Sequence, residues 1–138
     1  MDYIKRDRSP KQHFYHIISF PFIWGPLPFY IMMDIVSEIY HHVCFPLYGL
    51  EKVDRSKYIK IIDRAKLDYL NYPEKVNCMY CGYVNGLLLY QKEITGRTEK
   101  YWCGIMHEGK KDFIKDPNHD ESGFAKFNDE EDFKAKYK

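Results

Sequence analysis

The sequence lacks the short motifs that mark nucleotide-handling and common hydrolytic enzymes: it contains no GxxxxGK[ST], GxGxxG, HExxH or GxSxG. Phosphate-cradling glycines, zinc-binding helix pairs and nucleophile elbows therefore have no basis here. An excess of charge is also missing. Lys and Arg number 21 against 20 Asp and Glu, a formal net charge of +1, which excludes a duplex-binding protein driven by bulk positive charge. Basic and aromatic residues are not interleaved as in a nucleic-acid groove, so no nucleic-acid partner is expected. No internal repeat, heptad array or low-complexity tract stands out, and strand-like alternation is scarce. With 45% hydrophobic and 30% charged residues the chain is neither disordered nor collagenous, and its class is mainly α.

Aromatic residues are abundant: 2 Trp, 13 Tyr and 9 Phe in 138 residues. They concentrate in a stretch with no Asp, Glu, Lys or Arg from Phe14 to Met33, within which Ile17–Met33 reads IISFPFIWGPLPFYIMM. A straight spanning helix needs about 20 apolar residues, so the run sits at the short edge of that range. Pro21, Pro26 and Pro28, with Gly25, also argue against a simple spanning helix, because each proline removes a donor and strains the preceding turn. The expected form is an aromatic, proline-interrupted, membrane-associated hairpin over residues 14–45. In it, an arm from about Ile17 to Trp24 turns through Gly25–Pro28 into a second helix from about Pro28 to Val43, dipping into one leaflet. The alternative is a buried hairpin in a soluble protein.

Both flanks are basic, with Lys5, Arg6, Arg8 and Lys11 before the segment and Lys52, Arg55, Lys57, Lys60, Arg64 and Lys66 after it. This places the protein on the cytoplasmic face of the inner membrane, peripheral or re-entrant, with a lipid surface or a larger membrane protein as partner. A secretory signal is not expected, since the apolar part holds three prolines and no small-residue cleavage site follows it.

Further along, Tyr58, Ile61, Ile62, Ala65 and Tyr69 recur at helical spacing, which predicts a half-buried helix from Asp54 to Asn71, capped by Asp54 or Ser56 and stopped by Pro73. Leu87, Leu88, Leu89, Tyr90 and Ile94 predict another from about Gly82 to Thr95, with Gly96 as its stop. Residues 1–13 read as a basic N-terminal arm, 14–107 as a single helical domain, and 108–138 as a charged, mobile or loosely docked tail.

The basic flanks imply a reducing compartment, so the four cysteines suggest metal or redox chemistry before disulfides. Cys78 and Cys81 in NCMYCGY have the C-x2-C spacing that lets two thiolates meet one tetrahedral ion, and Cys103 and His107 in WCGIMH supply a second half-site. Cys78, Cys81, Cys103 and His107 are therefore candidate ligands for zinc or iron. A common ion requires the chain to double back after Thr95, because an unbroken helix would hold the half-sites roughly 30 Å apart. The rival chemistry is a thiol-disulfide oxidoreductase, with Cys78 and Cys81 activated at the start of a helix beginning near Gly82. A third possibility is packing alone, most evident for Cys44 between Val43 and Phe45. Asp34, Glu38, His41 and His42 form a further polar cluster at helical spacing. Glu38-x-x-His41 matches the carboxylate–histidine element of di-iron bundles, but only one such element is present.

The segment NCMYCGYVNGLLLYQKEITGRTEKYWCGIMH, preceded by HHVCFPLYGL, resembles a family of small uncharacterised bacterial proteins that share a cysteine pair, an asparagine–glycine step and a tyrosine–tryptophan–cysteine ending. The similarity runs from about Phe20 to His107. It implies that Cys78, Cys81, Asn85, Gly86, Tyr101, Trp102, Cys103 and His107 occupy matching positions, and it carries no catalytic role. The function expected is that of a small membrane-associated protein, accessory or structural, with a cysteine–histidine metal site. The alternatives are the oxidoreductase and a non-enzymatic interaction subunit of a larger membrane complex.

Overall fold

Ser9 opens the first helix by accepting the Gln12 amide at 3.3 Å, and Pro10 takes the first helical position, where its missing N–H costs nothing. The computed structural model describes residues 9–109 and 113–138. Helix α1 spans Pro10–Trp24 and α2 spans Leu27–Tyr48. Between them Gly25 keeps right-handed helical dihedrals, and its N–H still reaches the Pro21 carbonyl at 2.8 Å. Pro26 then accepts from Phe29 and Tyr30, which starts α2 at once. The expected hairpin is therefore corrected to one long, bent helical stretch, Pro10–Tyr48. The prolines bend it without reversing it: a proline's fixed φ suits a helix, and at the first turn of α2 no donor is required.

α2 ends at Gly49, whose φ of 69° allows the paired Gly49 N–H to Pro46 and Leu50 N–H to Phe45 bonds of a left-handed helix cap. The helix predicted from Asp54 to Asn71 does not form. Only two single 3-10 turns appear, Arg55–Lys57 and Arg64–Lys66, the first capped by Asp54 as expected. Tertiary packing overrides the periodicity. The backbone of residues 58–60 lies directly on Gly82 and Gly86, where added Cβ atoms would stand 2.3 Å from the Lys60 carbonyl oxygen and 2.6 Å from that of Tyr58. A helix has its carbonyls turned along its own axis and would not fit so closely.

Helix α3 runs for 32 residues, Tyr72–Cys103, far beyond the predicted span. Asn71 and Glu74 form a reciprocal capping box, each 3.0 Å from the other's amide, and Pro73 lies in the first turn. Pro73 thus marks the start of a helix, not the end of one. Gly96 does not stop α3 either. The His119 ring packs there, 3.0 Å from where a Cβ would sit, so the glycine answers a close approach. The stop is Gly104, with Phe124 and the Tyr137 hydroxyl pressed against it.

The tail expected to be mobile is docked over much of its described length. Ala125 donates to Gly104 at 2.7 Å and accepts from Met106 at 2.8 Å, giving an isolated parallel bridge, and Phe124 and Ala125 are buried. Helix α4, Glu130–Tyr137, carries acid residues in its first turn and lysines in its last, which complements its dipole. Its Tyr137 hydroxyl donates to the Lys100 carbonyl at 3.1 Å, serving the open end of α3. Among the described residues no strand forms, so the protein is mainly α.

The chain divides into two compact units, residues 1–38 and 39–138; of the arm expected over 1–13, residues 1–8 lie outside the described residues. In the first unit, α1 has no buried residue. In the second, Phe45, Val53, Val84, Leu87, Tyr90, Ile94, Phe124 and Ala125 make the core around His41. The contacts of α2 with α3 in this unit are long-armed: Tyr40 meets Thr98 through hydroxyls 2.8 Å apart, and Tyr48 stacks on Tyr101 at 4.8 Å and meets Trp102 edge-on.

Candidate functional site

Sequence reasoning offered two polar clusters, and the fold treats them differently. Cys78 and Cys81 stand on α3 well inside its second and third turns, and Cys103 is its last residue. Twenty-two residues of unbroken helix between Cys81 and Cys103 amount to about 33 Å, whereas ligands of one zinc ion lie within about 4 Å of each other. The shared site of Cys78, Cys81, Cys103 and His107 is therefore overturned, because the chain does not double back after Thr95. The helix-start argument for the cysteine pair fails as well. The helix begins at Tyr72, and a macrodipole acts mainly within the first turn. All four cysteines are free thiols: Cys81 and Cys103 are exposed, Cys44 and Cys78 half-buried. Around the pair, Asn85 donates to the Cys81 carbonyl at 2.9 Å and Arg64 to that of Cys78 at 3.4 Å.

The second cluster lies along α2. Asp34 and His41 are buried, Glu38 is half-buried and His42 exposed. Glu38, His41 and His42 can place one ligand atom each within 4.8 Å of one another, the usual grounds for suspecting a metal. The hydrogen bonds of His41 decide against it. Its Nε2 accepts the Val53 amide at 2.9 Å, so the lone pair is there and the ring proton belongs on Nδ1, 3.0 Å from the Tyr90 hydroxyl oxygen. A metal on Nε2 would displace the Val53 amide. A metal on Nδ1 would move the proton to Nε2 and set two donors against each other. With 1% of its surface exposed, His41 is a neutral core residue that ties α2 to the loop at Val53 and to α3. Phe45 and Tyr90 enclose it edge-on, at 4.7 and 5.8 Å between ring centroids. Val53 and Tyr90 are the partners that sequence reasoning missed, and no spacing signal could have named them.

A polar cleft of about 550 Å³ also opens along α3, lined in part by Lys92, Arg97, Lys100 and His119. Each of these has an acidic partner within the protein. Lys92 pairs with Asp116, Arg97 with Glu93 at 2.8 Å, Lys100 with Asp120 at 2.7 Å, and His119 with Glu99 at 3.2 Å. Hydrogen bonds from Lys100 and from Ser122 hold the Asp120 carboxyl well below the usual carboxylate range. With its charges paired internally, the cleft fastens segment 116–122 to α3 and leaves no surplus cation for an anionic ligand.

What remains without an internal role is the outer side of α2. Its less exposed face carries Asp34, Ser37, Glu38 and His41 beside Tyr30, Cys44 and the fully buried Phe45, and its exposed face carries Phe29, Met32, Ile35, Val36, Ile39, Val43 and Leu47 along with His42. So many exposed apolar residues are unusual for a helix in water. On α1, Ile17, Phe20, Phe22 and Ile23 are exposed as well. Pro10–Tyr48 is, by length and composition, a helix able to cross a membrane. No family model matches the chain, and no curated protein or solved structure is significantly similar to it.

Proposed function

We propose that the protein is membrane-embedded through residues 14–33 and serves as an accessory or structural component of the bacterial inner membrane, with the 39–138 unit on the cytoplasmic side. The exposed apolar surface of the uncharged stretch carries this reading: no residue from 14 to 33 is buried, and Phe20, Phe22, Ile23, Phe29 and Met32 all stand exposed, which suits apolar surroundings. The dimensions agree: the stretch from Phe14 to Met33 rises about 30 Å as a helix, the thickness of the hydrocarbon layer. The cytoplasmic side is proposed for the 39–138 unit on the basic residues that follow the stretch, Lys52, Arg55, Lys57 and Lys60.

The test is fractionation of cells expressing the full chain. The protein is expected in the membrane pellet after alkaline carbonate extraction. Cys103 is expected to resist an impermeant thiol reagent until the cells are opened. Phe22→Lys combined with Ile23→Lys, at about 2.5–3.5 kcal/mol for each charge near the bilayer centre, should release the chain to the soluble fraction. Wild-type protein that stays soluble would refute the proposal.

A further inference from the structure

The cysteine pair keeps a chemistry of its own once the distant half-site is gone. Cys78 and Cys81 lie three positions apart on α3, so their side chains leave the same face of the helix. Arg64 and Asn85 bond the carbonyls of the two residues, but neither thiol has a partner among the described residues. Cys81 is exposed and borders a shallow hollow of about 370 Å³, and Cys78 is half-buried. An ion arriving in the hollow meets Cys81 first, with Cys78 one turn away.

The helix limits what the pair can do. Side chains three apart on a helix have Cβ atoms about 5–6 Å from each other, whereas a disulfide needs about 3.5–4.5 Å, so a direct S–S bond distorts α3. An ion held between the two sulfurs fits the wider spacing. The surroundings then select the ion. Structural zinc takes four ligands. Among the described residues only Glu38, His41 and His42 bring three potential ligands together, so no third His, Cys, Asp or Glu completes a site at the pair. Copper(I), a soft d10 ion, is satisfied by two thiolates in a near-linear arrangement.

Charge points the same way. Two thiolates on one copper(I) make a complex with a single negative charge, which a nearby cation stabilises. Arg64 is that cation. Its guanidinium lies 3.4 Å from the Cys78 carbonyl oxygen and 3.3 Å from where a Cβ on Gly82 would stand, and it pairs with no carboxylate among the described residues. Lys60 lines the same hollow.

We infer that Cys78 and Cys81 form a two-coordinate copper(I) site with Arg64 as its counter-ion. On binding, two S–H bonds break, two Cu–S bonds form and two protons pass to water. Copper stays in the +1 state, so no oxidant or reductant enters. The site stands apart from the membrane reading, and either can fail without the other.

The experiment is anaerobic titration of the full-length chain, in mild detergent, with copper(I) held by a competing chromophoric chelator. One tightly bound copper(I) per chain is expected, with two sulfur neighbours by X-ray absorption. Cys78→Ser and Cys81→Ser should each abolish it. Adding Asn85→Cys to Cys78→Ser rebuilds a pair with Cys81 one turn on and should restore uptake, which separates loss of a ligand from loss of the fold. Arg64→Gln should weaken binding about 10-fold, and Arg64→Lys should recover part of that loss. A Cys44→Ser, Cys103→Ser chain and His107→Ala should bind as the wild type does. Copper retained by either single-serine variant at the pair, copper lost in Cys103→Ser or His107→Ala, or three or four ligands by X-ray absorption would overturn the site.

Discussion

Replacing His41 by leucine separates a core histidine from a metal ligand, and its cost can be worked from two hydrogen bonds. The substitution leaves the Val53 amide without its acceptor and the Tyr90 hydroxyl without its ring partner, both in the buried interior of the 39–138 unit. An orphaned buried polar group costs about 1–3 kcal/mol, so the two together come to about 2–6 kcal/mol. For a unit of this size each kcal/mol moves the melting temperature by about 4–8 °C, which predicts a fall of at least about 8 °C. The assay is thermal unfolding of the full chain in detergent, followed by circular dichroism and Trp102 emission. His42→Leu, at an exposed position beside the His41 ring, should cost clearly less, about 1 kcal/mol or under. Tyr90→Phe added to His41→Leu should cost less than the sum of the two alone, because they share a bond. Equal losses for His41→Leu and His42→Leu, both reversed by added zinc, would refute the reasoning and restore the Glu38–His41–His42 metal site.

Three other outcomes follow from the packing. Gly82→Ala and Gly86→Ala each drive a Cβ into the backbone of residues 58–60 and should destabilise by about 1–3 kcal/mol, whereas Gly109→Ala, with nothing within 4 Å, should be neutral in the same unfolding assay. Asp120 and Asp132 have their carboxyls held below the ordinary range, chiefly by Lys100 and Lys136 respectively. Their stabilising contribution is complete above the unfolded carboxylate pKa of about 4 and disappears as pH falls through the lower folded values. The protection of the Ala125 amide against exchange, taken relative to its intrinsic rate at each pH, should therefore fall on acidification, and Asp120→Asn should weaken that pH dependence. Finally, soft-metal titration of the Cys78–Cys81 pair should be unaffected by Cys103→Ser or His107→Ala; a loss of binding in either variant would show that the four residues do converge.

The helical class was legible in the sequence because it rests on composition and on the scarcity of alternation, which tertiary contacts seldom reverse. Individual elements were less so. Pro73 ends a helix on one reading and begins one on the other, and the difference lies in Asn71 and Glu74, whose capping box was the readable signal. Gly96 carries the mark of a helix stop, but its small size serves the His119 ring, a partner 23 positions away that no local pattern reveals. The helix expected between Asp54 and Asn71 had the right periodicity, but Gly82 and Gly86 admit a backbone that packs closer than a helix can. The polar cluster on α2 was visible as residues but its partners were not, since only the fold brings Val53 and Tyr90 to the two ring nitrogens of His41. The apolar stretch was read correctly as a stretch, and its three prolines were taken for a reversal where they produce a bend.

The membrane anchor is tested most directly by the depth of Trp24. In a Trp102→Phe chain it is the sole tryptophan, and it lies near the middle of residues 14–33. Reconstituted in vesicles whose lipids carry bromine at defined depths, its fluorescence should be quenched most strongly by bromine near the ends of the acyl chains and little by aqueous iodide. Strongest quenching by iodide, or by bromine just beneath the headgroups, would contradict the account.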